Sequence, residues 1–226
     1  MGYGKETGAT KEFIKNELGI DNSFGRVFSF VDFANVNNRF NDGNQTWDKQ
    51  TLKKDESLGA DVKGLKKLVD CYSHRTLIYY GQDPNNLGSV RFTDLLRIVF
   101  SDENVVTKNL QVIKHYISEA DKERQPKPIQ TNTRGRKFLE IRKCNFDVEM
   151  AVDAVRTINH YDTFCLFSGD ADFVYLNDYL RGQGKRVIII KGGHITAGLR
   201  KSSDLVIDAQ DIKRYITRIK CKKPGL

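Results

Sequence analysis

Aspartates recur in this chain at the places where a fold can gather charge. Asp32 directly follows the apolar run 27–31, and Asp170 follows the apolar run 163–167 through Ser168 and Gly169. Asp172 comes two residues later. Asp147 begins a segment in which Ala151, Ala154 and Ile158 recur at helical spacing, so its carboxylate shares the stripe that should face the sheet. A carboxylate there is costly unless something positive meets it. Carboxylates gathered at one place also raise each other's pKa unless a cation neutralises them. Hard divalent ions with oxygen ligands do this, and Mg²⁺ keeps waters and shares phosphate oxygens. Such a site can orient and deprotonate a water for in-line attack on a phosphodiester. It also offsets the charge building on phosphorus and the leaving oxygen. Each acid has a plainer use. Asp170 and Asp172 suit helix N-caps, Asp32 can cap the turn at Asn35, and Asp147 is favoured at a helix N-terminus. Asp153, a third of a turn from the stripe, either flanks the site or sits at the core boundary. The combination is harder to explain this way than any single member.

The elements that must position these acids can be read from periodicity. Residues 27–31, 76–80 and 163–167 are short apolar runs bounded by turn formers, as expected of strands buried on both faces. Residues 186–190 are β-branched and suit a sheet centre. Further strands are expected at 110–117 and 204–207. Val62, Leu65, Leu68 and Val69 recur at helical spacing and predict a helix over 61–72. Other helices are expected at 11–18, 89–100, 145–159, 173–180 and 210–219, with a helical turn at 196–201. Asn145 is the expected N-cap of the 145–159 helix, and Glu149 should point to solvent. Strands separated by helices imply right-handed βαβ units. The expected fold is a three-layer α/β/α domain over 26–221 with a mainly parallel central sheet, after an N-terminal extension of residues 1–25. In such a sheet ligands bind beyond the carboxyl ends of the strands, where Asp32 and Asp170 fall.

Composition narrows the setting. The chain has 226 residues, enough for one sizeable domain, and a net charge of +8, which favours polyanionic partners. A basic insertion is expected over 118–143. Between Lys122 and Lys143 stand eight Lys or Arg against Glu123 and Glu140, and Pro126 and Pro128 exclude a helix there. Arg134, Gly135 and Arg136 read as the tip of a hairpin. Arg134, Arg136 and Lys137 are the candidates to guide a substrate strand, against the plainer reading of a solvated loop. No apolar run is long enough for a membrane helix, and the N-terminus has no secretory apolar region. Four cysteines without CxxC spacing suit reduced thiols and a cytoplasmic location. The four histidines form no metal-ligand spacing. No G-x-G-x-x-G or Walker A sequence occurs, which disfavours dinucleotide and P-loop chemistry.

Three segments resemble a known family. Phe30-Val31-Asp32-Phe33-Ala34-Asn35 resembles the opening strand of NYN domains, and residues 146–153 resemble the helix that carries one Asp and another six residues on. Phe167-Ser168-Gly169-Asp170-Ala171-Asp172-Phe173 is similar to the family's most specific motif. The resemblance covers 26–80 and 143–212; residues 81–142 are longer or more basic than it would lead one to expect. It implies a PIN-like, Rossmannoid fold and a Mg²⁺- or Mn²⁺-dependent endoribonuclease acting on RNA. It carries over Asp32, Asn35, Asp147, Asp170 and Asp172 as the acidic site, with Asp153 and Ser168 as further members. By position, Asp32, Asp147 and Asp170 are the expected metal ligands. Asn35 would bond a phosphate or orient Asp32, and Ser168 would donate to a phosphate oxygen or cap its turn. The resemblance also allows a homodimer. The alternatives are a non-catalytic RNA-binding or scaffold module of the same fold, and another metal-dependent phosphoesterase. A phosphatase with a nucleophilic aspartate wants Asp-x-Asp after its first strand, where this chain has Asp32-Phe33-Ala34.

Overall fold

The computed structural model describes residues 8–39, 50–116, 130–133 and 135–221. In chain order its strands are β1 (Val27–Asp32), β2 (Glu56–Ala60), β3 (Ser73–Gln82), β4 (Val105–Asn109), β5 (Gln111–Tyr116), β6 (Gln130–Thr131), β7 (Lys137–Lys143), β8 (Thr163–Phe167), β9 (Arg186–Lys191), β10 (Leu205–Asp208) and β11 (Thr217–Cys221). The helices are α1 (Gly8–Leu18), α2 (Phe33–Arg39), α3 (Val62–Val69), α4 (Leu87–Phe100), α5 (Asp147–Arg156), α6 (Val174–Gly182), α7 (Ala197–Lys201) and α8 (Ala209–Ile216).

Six strands form one sheet in the order β10-β9-β8-β1-β3-β4, and every pairing in it is parallel. Successive side chains of a strand point to opposite faces, and here both faces are buried. Along β1, Val27 and Val31 join one core while Phe28 and Phe30 join the other. Along β8, Cys165 and Phe167 lie on the first side, Phe164 and Leu166 on the second. This is why these strands read as unbroken apolar runs rather than alternating ones. Helices α2, α3, α4 and α8 cover the first core, through residues such as Phe33, Leu65, Leu96 and Ile212. Helices α5, α6 and α7 cover the second through Met150, Ala154, Leu180 and Leu199. The result is the three-layer α/β/α arrangement. Helix α1, in the segment read as an extension, also lays Ile14 and Leu18 into the first core.

Two parts of the chain depart from the expected pattern. The sixth strand of the parallel sheet is β4, at 105–109. The strand expected at 110–117 is instead β5, which leaves that sheet and pairs antiparallel with β7 in a small sheet ordered β5-β7-β6. The break comes at Leu110, whose N–H still bonds the Gln82 carbonyl at 2.8 Å before the chain turns away. The last helix stops at Ile216 rather than continuing to 219, because Thr217 is extended and β11 pairs antiparallel with β2. Pairing with β2 replaces the intrahelical hydrogen bonds that residues 217–219 would make in a longer helix. Among the described residues no helix is long and apolar enough to cross a membrane.

Topology decides where a site can form. β1 continues through α2 and α3 to β3 on one side, while β8 comes to lie on its other side. The order therefore switches direction between β1 and β8. In open α/β sheets a crevice forms outside the carboxyl ends at such a point.

Candidate active site

The chain turns into α2 directly after β1, and this tight turn uses Asp32 as its polar anchor. One carboxylate oxygen of Asp32 accepts from the Ala34 N–H at 3.0 Å and the other from the Asn35 side-chain amide at 2.7 Å. The same Asn35 nitrogen lies 3.1 Å from Ser168 Oγ, just beyond the end of β8. Ser168 is buried, and its Oγ accepts in turn from the Asp170 N–H at 3.2 Å. A chain of hydrogen bonds thus ties the carboxyl ends of β1 and β8 across the switch point. Asp170 caps the short 3₁₀ turn of residues 171–173, accepting from the Asp172 N–H at 3.1 Å. The capping role and the site role belong to the same side chain.

Asp147 arrives from the opposite wall, at the start of α5. Phe146 occupies the N-cap position and makes no side-chain cap bond. Asn145, expected there, acts from one residue earlier, its Oδ1 accepting from the Asp147 N–H at 2.8 Å. Lys108, near the end of β4, fixes this terminus. Its Nζ donates to the Asn145 carbonyl at 2.8 Å and to the Glu149 carboxylate at 2.7 Å, and sits 5.3 Å from the centre of the Phe146 ring. Glu149 is therefore half-buried and paired rather than solvated, and the Lys108 ammonium holds its carboxyl below the usual range. Helical spacing showed correctly that Glu149 leaves the Asp147 stripe. It could not show that a second element meets Glu149 there.

Carboxylate oxygens of Asp147, Asp170 and Asp172 all lie within 4.8 Å of one another. Burial raises the Asp147 carboxyl above its ordinary value; the Asn145 side chain opposes this, the charges of Asp170 and Asp172 add to it, and Lys143 partly relieves it. Burial likewise raises Asp32, against the hydrogen bonds from Ala34 and Asn35, and the charge of Asp147 adds to the rise. Asp32 thus feels Asp147 without being one of the three that converge. The donor set is all carboxylate oxygen, with Asp170 and Asp172 exposed. That chemistry fits a hard divalent cation that keeps some of its waters, and it does not fit zinc held by nitrogen or sulfur.

The family model for the NYN domain matches residues 71–213, more than half of the chain. The chain belongs to the NYN domain family. The matched span contains Asp147, Asp170 and Asp172; Asp32 and Asn35 precede it. This chain is 29% identical over 99 residues to the low amplitude and bright protein LabA of Synechococcus elongatus, an alignment covering 43% of this chain and 52% of LabA. The chain thus spans about half the length of that curated relative. Among solved structures it is similar to VPA0982, a Vibrio parahaemolyticus protein of unknown function. There the TM-score is 0.55 at 17% identity, covering 84% of this chain and 95% of the other, which shows a shared fold.

Asp153 is not among the three converging acids. The Asp153 carboxylate accepts from the Tyr79 hydroxyl at 3.0 Å and faces Arg156 at 3.5 Å. It closes the polar end of a tyrosine that is otherwise in the core. Arg136 is exposed beside Gly135, whose φ of +72° makes the turn between β6 and β7, and Lys137 begins β7. Arg134 lies outside the described residues. At ~3.3 Å per residue, the start of β7 is about 20 Å along the strand from its end at Lys143. It is Lys143 whose charge reaches Asp147. Sequence reasoning passed over Lys108 and singled out no role for Lys143. The one local signal near Lys108 was the short β-branched run Val105-Val106-Thr107 before it.

Proposed function

We propose that this NYN domain is a divalent-metal-dependent endoribonuclease that hydrolyses RNA phosphodiester bonds. The observation that carries this reading is the convergence of Asp147, Asp170 and Asp172 within 4.8 Å, at the carboxyl end of a parallel sheet beside its switch point. These carboxylates would hold Mg²⁺ or Mn²⁺. When bound, the ion supplies an acidified water and positive charge for the phosphate. Asp32, kept in one orientation by Asn35, adds negative charge behind Asp147. Ser168 holds the ends of β1 and β8 together, through Asn35 on one side and the Asp170 N–H on the other. Lys143 and the net charge of +8 draw a phosphate backbone toward acids that would otherwise repel it. Arg136 and Lys137 would contact the strand farther out. Free cysteines at 71, 144, 165 and 221 agree with a reducing, cytoplasmic setting.

The test is incubation of metal-stripped protein with end-labelled RNA, with and without Mn²⁺ or Mg²⁺, alongside Asp170→Asn. Cleavage is expected only with metal and only with Asp170 present. Cleavage that needs neither overturns the reading. RNA binding without cleavage under every metal condition selects the non-catalytic binding module instead.

A further inference from the structure

A cavity of about 390 Å³ is lined by the chain neighbours of Asp32 and Asp147. This is within the ~300–1,000 Å³ that small-molecule sites occupy. Its lining residues include Phe33, Tyr80, Phe146 and Leu110 with the cations Arg142 and Lys143; Phe33 and Phe146 are buried in the two cores, and Tyr80 is the partly exposed ring. Phe33 directly follows Asp32, and Phe146 directly precedes Asp147, so the cavity and the cluster share their supporting turns. Lys143 belongs to both, lining the cavity and acting on the Asp147 charge.

The cavity is built from fixed parts. Phe33, Tyr80 and Phe92 pack as an aromatic trio with centroids 5.1–5.9 Å apart, and the Tyr80 hydroxyl is 3.1 Å from Ser89 Oγ. Arg142 is held by an ion pair with Asp83. Gly81 lets the strands approach: a Cβ there would stand 2.7 Å from Cys144 Cβ and 2.8 Å from the Leu110 side chain. A partly exposed tyrosine ring beside an exposed guanidinium and ammonium matches a planar, polar ring attached to a phosphate. Bases of unpaired RNA are bound this way, on aromatic and guanidinium planes, without strong sequence preference.

We propose that this cavity takes one unstacked nucleobase of a single-stranded RNA, next to the phosphate that reaches the acidic cluster. The inference rests on the phosphodiester-site reading above. The shared chemistry, a base with its phosphate, could also come from a free mononucleotide, and the experiment separates the two. A fluorescently labelled single-stranded RNA is titrated with the protein in EDTA, where no cleavage occurs. The titration is repeated with one abasic residue moved through the strand, and with AMP and UMP as competitors. The same RNAs are then cut in Mn²⁺ to map the scissile bond.

Removal of one base adjacent to the mapped bond should weaken binding about tenfold, and Leu110→Trp, which fills the cavity, should abolish that sensitivity. The mononucleotides should compete only weakly. If Leu110→Trp fails to fold, judged by circular dichroism, the abasic scan on the unaltered protein decides alone. Equal binding at every abasic position overturns the proposal, as does tight mononucleotide binding without strand binding. Metal- and Asp170-dependent cleavage with a flat abasic scan removes the base site and leaves the nuclease. A base-sensitive complex that is never cut removes the nuclease and leaves the base site, its position then read from the strand's own ends.

Discussion

Lys108 Nζ lies 2.7 Å from the Glu149 carboxylate, joining an edge strand of the sheet to the helix that presents Asp147. Among the described residues the other Glu149 oxygen is buried without a hydrogen-bond partner. Lys108→Met should cost about 1–3 kcal/mol in urea unfolding, because it leaves a half-buried carboxylate unpaired. It should also weaken Mn²⁺ binding measured by calorimetry, since the start of α5 is no longer tied down. Lys108→Met with Glu149→Gln should recover most of the stability and less of the metal affinity. Recovery of both in equal measure would mean that Lys108 supports the fold alone.

The acids of the site are held against their own repulsion. Asp147→Asn removes a partly buried charge that faces Asp170 and Asp172, so it should raise the melting temperature in EDTA. For a chain of this size each kcal/mol relieved corresponds to about 2–4 °C. Mn²⁺ should stabilise the unaltered protein and leave the variant almost unchanged, and cleavage should fall by on the order of 10²–10³-fold. Differential scanning fluorimetry with and without metal checks the first two outcomes and a gel assay the third.

Asn35 bridges Asp32 and Ser168 across the strand ends. Asn35→Ala should lower the cleavage rate about 10–100-fold, the usual cost of removing a group that orients a metal-site carboxylate. Asn35→Asp should be worse, because it sets a second negative charge against Asp32. Single-turnover rates at saturating RNA read this directly. Equal rates for both variants would argue that charge at this position is irrelevant.

Phosphate contacts can be counted through salt. Each one lost from a single-stranded complex reduces the slope of log K against log salt by about 0.7. Lys143→Gln should show that reduction together with a large loss of affinity near the site. Arg136→Ala and Lys137→Ala should each show the same slope change with a smaller loss, since they lie a strand length away. Unchanged slopes for Arg136 and Lys137 would confine the RNA track to the Lys143 end of β7.

The sequence alone determined the layers and the strand ends at which Asp32 and Asp170 stand. Apolar runs at 27–31 and 163–167 have no polar face, so they had to be strands covered on both sides, and an aspartate after such a strand had to emerge at its carboxyl end. That reasoning is local, and the burial of β1 and β8 follows it closely. The convergence of the acids is a tertiary fact. Periodicity put Asp147 on the inner stripe, but only the parallel order with β8 beside β1 carries Asp170 and Asp172 to within 4.8 Å of it. The same packing leaves Asp32 outside the three, its carboxylate held by hydrogen bonds from Ala34 and Asn35 that spacing cannot reveal. Strand β4 stayed hidden for a related reason. Its five residues are only partly apolar, and their extended form depends on pairing with the edge of β3. Lys108 acquires its role only through that pairing, which brings it under the start of α5.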